Sequence, residues 1–309
     1  MITVVALSPS VDVTYVVDEF ELGEVHRPDS VHRVAGGKSL NAARAAAAMG
    51  ADVSAIAVLW GVAGEHLAQE LAAAGVELTR IGGSVETRTC ISIASMADGR
   101  MTEIYERATP VSSSEWGSVT EAALRVLPRR PGWLAVSGSV PSSLGAGALA
   151  RLVELGADAG VSVAIDSHGP PLGPAVDAGP ALVKVNRAEA AALLGRDSGV
   201  DVFELATGIH ERSGGIAVVT DGIDGSVVTD GRESWRVSPS EAIGNFPVGS
   251  GDSFLGGMLS ALDGGTDVAG ALRLGAGCAT ANALEPGAAR FDPQRARSIA
   301  AALTVERAR

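Results

Sequence analysis

The chain is poor in the residues that build several common kinds of site. Only two cysteines, Cys90 and Cys278, occur in 309 residues, too few for a disulfide framework or a thiolate metal centre. A reducing cytoplasm is therefore the expected setting. Basic residues are scarce as well: 24 Lys and Arg face 36 Asp and Glu, a net charge of −12. That balance argues against non-specific nucleic-acid binding and against anionic membranes. It also means that an anionic substrate must be held by local positive groups against an unfavourable global field. Long hydrophobic runs are missing. The most apolar window, 42–64, is interrupted by Arg44 and Asp52 and punctuated by Gly50, so it reads as helix, turn and strand. The opening MITVVALSPS has no basic segment before a long apolar one, and no signal peptide is expected. No G-x-G-x-x-G follows the first strand, which sets aside a dinucleotide-binding dehydrogenase. Internal repeats and low-complexity segments are absent too.

What the chain does hold is 46% hydrophobic residues and 39 glycines, too apolar for disorder and glycine-rich in the way of tight βα turns. Strands are expected at 2–7, 53–59, 133–138, 161–166, 181–186 and 215–220. Helices are expected near 39–49, 64–74, 115–127, 145–159, 187–194 and 201–213, with a helical region from 251 onward. Continuous apolar strands separated by helices imply a parallel sheet covered on both faces, with ligands beyond the carboxyl ends of its strands. Two stretches break the rhythm. Residues 11–35 and 87–107 alternate polar and apolar positions, and Asp98-Gly99 marks a hairpin. They predict a small antiparallel sheet standing off the body as a lid, and a half-exposed sheet of that kind invites a homodimer through it.

Residues 35–41, AGGKSLN, end like a phosphate-binding P-loop. The full pattern is G-x-x-x-x-G-K-[ST], and the position that must be its first glycine is His32. The preceding run is charged rather than a buried strand, so the P-loop reading fails. A second glycine stretch, 247–259, reads PVGSGDSFLGGML. Here Gly249-Ser250-Gly251 runs into a helix that carries Asp252 in its first turn. Bare amides at a helix start favour a phosphate oxygen; equally, Gly, Ser and Asp are ordinary capping residues.

AGGKSLN followed by AARAAAAMG, taken together with PVGSGDSFLGGML, resembles the two signatures of the ribokinase-like (PfkB) carbohydrate kinases. The resemblance spans nearly the whole chain. It includes Asp12, TR at 87–88, TEI at 102–104, SGS with a following proline (137–141), D-S-x-G (166–169), N-x-x-E (186–189) and Pro286-Gly287. The first forty or so residues are similar to those of the hexose-phosphate branch, which holds the 1-phosphofructokinases and tagatose-6-phosphate kinases. The family implies one α/β domain over 1–309, a three-layer αβα sandwich with a mainly parallel central sheet and the small lid. The implied reaction is ATP-dependent phosphorylation of a ketohexose phosphate, with Mg²⁺, foremost fructose 1-phosphate to fructose 1,6-bisphosphate.

By this resemblance Asp252 is the base for the acceptor hydroxyl, with a pKa expected to be low beside a helix N-terminus. Gly249, Ser250 and Gly251 form the anion hole. Asp12, Gly37, Asn41 and Ser137 face the sugar, and Lys38, Arg27 and Arg88 are the candidates for its existing phosphate. Asn186 and Glu189 organise Mg²⁺ through water, as suits an ion that keeps several waters. Lys184, Asn186, Thr220, Gly222, Gly225 and Asn282 belong to the nucleotide side.

Several positions depart from the family pattern. Ser8 and Ser10 replace an Asn and an Ala, Ser39 a glycine beside the presumed sugar pocket, and Val185 a proline. Phe246 displaces a small polar residue, and Asp221 adds a negative charge to the nucleotide loop. Ser8 and Ser39 are expected to reshape the acceptor pocket. The alternatives are a kinase for tagatose 6-phosphate, fructose 6-phosphate or an unphosphorylated sugar, and a non-catalytic sugar-phosphate sensor that keeps the fold.

Overall fold

A computed structural model describes residues 1–197 and 199–308. The chain opens with β1 (Ile2–Ala6), β2 (Ser10–Val17), β3 (Ser30–Gly36), α1 (Lys38–Ala48), β4 (Val53–Leu59), α2 (Gly61–Ala73) and β5 (Glu77–Gly82). Then come β6 (Arg88–Ser95), β7 (Met101–Tyr105), α3 (Ser113–Val126), β8 (Trp133–Ser137), α4 (Ala148–Asp158), β9 (Ser162–Asp166) and α5 (Leu172–Asp177). The second half holds β10 (Leu182–Asn186), α6 (Arg187–Leu194), α7 (Val202–Ser213), β11 (Ile216–Thr220), β12 (Ser226–Thr229) and β13 (Ser234–Val237). It ends with α8 (Ser250–Asp263), α9 (Val268–Ala283), α10 (Pro293–Ala302) and β14 (Val305–Arg307).

Ten strands form one sheet in the order β14-β13-β12-β11-β10-β9-β8-β1-β4-β5, parallel from β11 to β5 and antiparallel at the other end. The parallel strands are buried on both faces, which is why they read as unbroken apolar runs. Alternate residues serve two cores. Val5 and Leu7 join α3, α4, α5, α6 and α7 on one face, while Ile2, Val4 and Ala6 join α1, α2, α8 and α9 on the other. The six expected strands are all present, and β5, β12, β13, β14 and α5 were not foreseen. Their apolar residues are few or their length short, so their pairing partners decide them.

The second sheet, in the order β3-β2-β6-β7, is antiparallel at both outer pairs, and β6–β7 closes around Asp98-Gly99. Its central pair, β2–β6, is parallel. The intervening chain travels through α1, β4, α2 and β5 before β6 begins, and a crossover of that length brings a strand back in the same direction.

Alanine richness in α1 has a packing reason. A β-carbon at Gly256 in α8 would lie 2.5 Å from Ala42 O and 2.7 Å from Ala45 Cβ. The neighbouring Gly257 abuts Cys278 of α9 just as closely. Small residues thus let α8 lie almost backbone to backbone between α1 and α9, and the N-termini of α1 and α8 emerge side by side.

Candidate active site

Strand ends β1, β8, β9, β10 and β11 deliver Ser8, Ser137, Asp166, Asn186 and Thr220 to one crevice of about 500 Å³. The strand order reverses direction between β1 and β8, the place where open α/β sheets take ligands. The volume falls in the ~300–1,000 Å³ range of small-molecule sites. The lid overhangs it with Ser10, Asp12, Arg88, Cys90, Glu103 and Tyr105.

The glycine pair of AGGKSLN is explained by close approach. A β-carbon at Gly36 would sit 2.0 Å from Asp12 Cγ, so its absence makes room for that carboxylate. Gly37 adopts φ 86 and lies against Ser8 O, and it starts α1 with no side-chain cap. The same holds for α8. Its N-cap, Gly249, is left-handed at φ 83, and no side chain caps the helix; the Ser250 N–H, expected in the anion hole, instead donates to Pro247 O at 3.0 Å, while the N–H groups of Gly251 and Asp252 carry no intrachain partner among the described residues. By contrast α3, α6, α7, α9 and α10 are capped by Ser112, Asn186, Asp201, Asp267 and Asp292, and the starts of α2, α4 and α5, which also lack a side-chain cap, do not line the crevice. Two bare helix starts opening on one polar crevice make an anion site.

Asn41 ties the two signatures together. Its Nδ2 donates to Asp252 Oδ2 at 2.9 Å and to Asp12 Oδ2 at 3.3 Å. Asp12 also accepts from Ser10 Oγ at 2.6 Å and weakly from Gly37 N. Asp252 is only 6% exposed. Burial pushes its carboxyl up to about 6, against the pull of Lys38, with the nearby Asp166 charge adding to the rise. The low value expected from the helix start is therefore corrected: in this packed crevice loss of water outweighs the dipole. Burial raises Asp12 as well, opposed by its hydrogen bonds and by Arg44.

Asp166 is the hub of the positive charge. Burial alone would push its carboxyl up, but Lys184 and Lys38 together hold it below the ordinary value. Lys184, itself buried, forms an ion pair with Asp166 Oδ2, and its Nζ would lie 3.2 Å from a β-carbon at Gly251. Lys38 is expected at the acceptor's existing phosphate. It lines the crevice, with its Nζ 3.8 Å from Asp166 Oδ1 and 3.9 Å from Glu189 Oε1. The cause is Gly138, at φ 95, whose missing side chain lets the Lys38 stem run toward Asp166. Asp166 raises the Lys38 pKa against desolvation, so the ammonium stays charged.

Arg88 lines the lid side of the crevice. Nη1 donates to Glu106 O at 2.7 Å, Nη2 to Ser8 O at 3.3 Å, and Nε has no partner. Asn186 and Glu189 form a reciprocal capping box at the start of α6, which leaves Glu189 Oε1 turned toward Lys38. Among the described residues, no group of three or more His, Cys, Asp or Glu is placed to hold a metal ion. A sparse donor set of this kind, with Asp166 Oδ1 accepting no hydrogen bond, suits an ion that retains its waters.

Other expected residues lie elsewhere. Arg27 is exposed in the loop between β2 and β3 and does not line the crevice. Gly222 and Gly225 shape the turn after β11, where Gly225 at φ 93 passes close to Val237 O. Asn282 is fully buried and turned away from the crevice wall. Its Nδ2 donates to Val248 O at 2.9 Å and Ser250 Oγ at 3.1 Å, so it braces the anion-hole turn. Ser39 does not reshape the pocket, because its hydroxyl points into the body. It bonds Val5 O at 2.8 Å and Ser137 O at 2.9 Å, and it accepts from Ser137 N. Asp221 brings no loose charge: Arg187 forks onto it, with Nε 2.7 Å from Oδ1. Val185 is wholly buried in the sheet, and Phe246 N bonds Ala283 O at 3.0 Å. Sequence reasoning missed Asp166 as a hub and His168, Glu103 and Tyr105 as crevice residues. The signals were the D-S-x-G and TEI stretches, named only as parts of the resemblance and given no role, and the polar positions of the lid.

Residues 1–295 match the model of the pfkB family carbohydrate kinases. The chain is 30% identical over 309 residues to a 1-phosphofructokinase of Rhodobacter capsulatus, covering 99% of this chain and 97% of that one. It is 29% identical to a tagatose-6-phosphate kinase of Staphylococcus epidermidis over 85% of each. Phosphofructokinase-2 of Escherichia coli, solved in complex with substrates and products, superposes with a TM-score of 0.89 at 26% identity, over 97% of this chain and 98% of that one. With the fold, the two glycine signatures and these likenesses in agreement, the chain belongs to the pfkB family of carbohydrate kinases.

Proposed function

We propose that this kinase transfers the terminal phosphoryl group of ATP to a ketohexose phosphate, foremost fructose 1-phosphate to give fructose 1,6-bisphosphate. The observation that carries the reading is the single Asn41 amide shared by Asp12 and Asp252 at the uncapped start of α8. It holds a sugar-facing carboxylate and a base within two hydrogen bonds of each other, beside free amides. Asp252 takes the acceptor proton, and a carboxyl raised to about 6 is a better base than an ordinary aspartate while still charged at neutral pH. A loose transition state asks mainly for alignment and charge neutralisation. Lys38, Lys184 and the amides of Gly251 and Asp252 supply the neutralisation. Asp166, Asn186 and Glu189 are the residues that would hold Mg²⁺ through its waters. When bound, that ion would neutralise charge on the ATP phosphates. Thr220 lies on the nucleotide side, and Arg88 is left to meet the phosphate already on the sugar.

The test is ADP release with Mg-ATP against fructose 1-phosphate, fructose 6-phosphate, tagatose 6-phosphate, fructose and ribose. One phosphosugar should dominate; no turnover on any of the three phosphosugars removes the ketohexose-phosphate reading. Tagatose 6-phosphate is the second reading, on the strength of the Staphylococcus relative. In the same assay Arg88→Met should raise the KM of the preferred phosphosugar about 10- to 100-fold, the worth of a charge-assisted hydrogen bond. The KM for ATP should stay put. An equal effect on unphosphorylated fructose overturns the role of Arg88.

The lid is also the proposed dimer face. It and its loop expose Leu22, Val25 and Ile104, the last by 57%. Sedimentation equilibrium should report a dimer that Ile104→Glu weakens; a monomer at every concentration removes the idea.

A further inference from the structure

Arg44 belongs to neither glycine signature's assigned residues, yet it is the one charged side chain in the alanine run of α1. Its guanidinium serves four acceptors on three parts of the fold. Nε donates to Ala35 O at 2.8 Å, on the last turn of lid strand β3. Nη2 donates to Asn41 Oδ1 at 3.0 Å and to Ala288 O, and Nη1 donates to Ala289 O at 3.3 Å. The turn at 288–289 is unusual. Ala289, at φ 49, is the one non-glycine residue with positive φ among those described, and Gly249 of the anion hole packs directly on it.

The bond to Asn41 Oδ1 has a chemical consequence. Asn41 is buried, and both carboxylates on its other side need donors, so its amide must present nitrogen to them and oxygen away. A buried carbonyl oxygen facing away needs a donor of its own. Arg44 supplies it, and the same planar group holds the turn beneath the anion hole. Only a fork of five donors in one plane can do both; a lysine ammonium cannot span them.

We propose that Arg44 is the positioning residue that locks Asn41, and through it Asp12 and Asp252, in register with the anion hole. The inference rests on the phosphoryl-transfer reading of the crevice. Removing Arg44 frees the Asn41 amide, and Asp252 loses a hydrogen bond that favours its charged form. Lys38, Asp166 and Lys184 also face Asp252, and Asp12, Glu70 and Asp252 itself feel the Arg44 charge; the variants leave all of these groups in place, and Arg44→Lys keeps the charge as well.

The experiment is Arg44→Met, with Arg44→Lys as the milder variant, read by kcat against pH and by ¹³C NMR titration of the Asp252 carboxyl in ligand-free protein. Both variants should lower kcat at least about tenfold, as misplacement by a fraction of an ångström does. The Asp252 titration and the acid limb of kcat should both move up by about one pH unit, the worth of a charge-assisted hydrogen bond. In an Asn41→Ala background the charge-keeping Arg44→Lys should add little further shift, since beyond its charge Arg44 acts through Asn41. A lower melting temperature with kcat and titration unchanged makes Arg44 a plain structural brace and overturns the proposal. So does a full, independent shift in the Asn41→Ala background, or Arg44→Lys behaving as wild type. If Arg44→Met does not fold, Arg44→Lys alone decides. If wild type shows no turnover, the phosphoryl-transfer reading falls, while the NMR titration still decides whether Arg44 positions Asp252.

Discussion

Asp252→Asn should abolish most activity and make the protein more stable. Loss of the base lowers kcat by about 10²–10⁴-fold, the usual range for a positioned general base. The acid limb of the wild-type profile, expected near pH 6, should vanish with it. Stability moves the other way. A carboxyl whose folded pKa is raised from 3.8 to about 6 binds its proton more tightly in the folded state. The folded chain is therefore favoured by this group below pH 3.8, loses that advantage as pH climbs to about 6, and carries the full cost of a buried charge above it. That cost is on the order of 3 kcal/mol. Asparagine keeps the shape and an acceptor for Asn41 Nδ2 without the charge, and Lys38 retains Asp166 and Glu189. Thermal melts at pH 7.5 should thus show a higher Tm for the variant, with the gap closing toward about pH 4. A lower Tm at neutral pH, or a kcat within a few-fold of wild type, contradicts the assignment.

Gly249→Ala should be nearly as damaging, for a different reason. The residue sits at φ 83, and an added β-carbon would lie 2.7 Å from Ala289 N and 2.8 Å from Ala288 Cα. Both contacts are backbone, so the turn itself must move. The amides of Gly251 and Asp252 move with it, away from where charge develops, which costs about 10²–10³ in kcat for a lost anion-hole donor. Gly160→Ala is the matched control. It too has positive φ, at 70, with open space around it, and it lies between α4 and β9, away from the crevice, so it bears backbone strain alone and should leave kcat near wild type. Comparable kcat values for the two variants would remove the anion-hole role of Gly249.

Part of this site is legible in the sequence. AGGKSLN and PVGSGDSFLGGML state their own backbone needs, and Asn41 of the first bonds both Asp252 of the second and the separate Asp12. What was not legible depends on distant chain. Lys38 turns toward Asp166 because position 138 is a glycine a hundred residues on. Ser39 satisfies itself on Val5 and Ser137, which no local pattern announces. The sign of the Asp252 shift is set by how deeply α1, α8 and the strand ends bury it, and a helix-start rule sees only the dipole. Asp166 stands in the D-S-x-G stretch, but its role as the partner of two lysines, on α1 and β10, is set by the fold. Arg44 was read only as an interruption of an apolar window, because its partners at Ala35, Ala288 and Ala289 are carbonyls, which leave no trace in residue type.

The close packing of α1 on α8 has a consequence for how this enzyme can change over generations. Gly256 seats α8 on the alanines of α1, so base, anion hole and Asn41 ride on a pair of helices with almost no freedom to slide. Other residues that line the crevice, Ser8, Ser10, Arg88, Glu103 and Tyr105, stand on strand ends and on the lid, outside that pair. Acceptor choice can drift there one substitution at a time without disturbing the chemistry. Mutational tolerance should therefore be divided sharply across the crevice, permissive on the strand side and nearly absent along the helix contact.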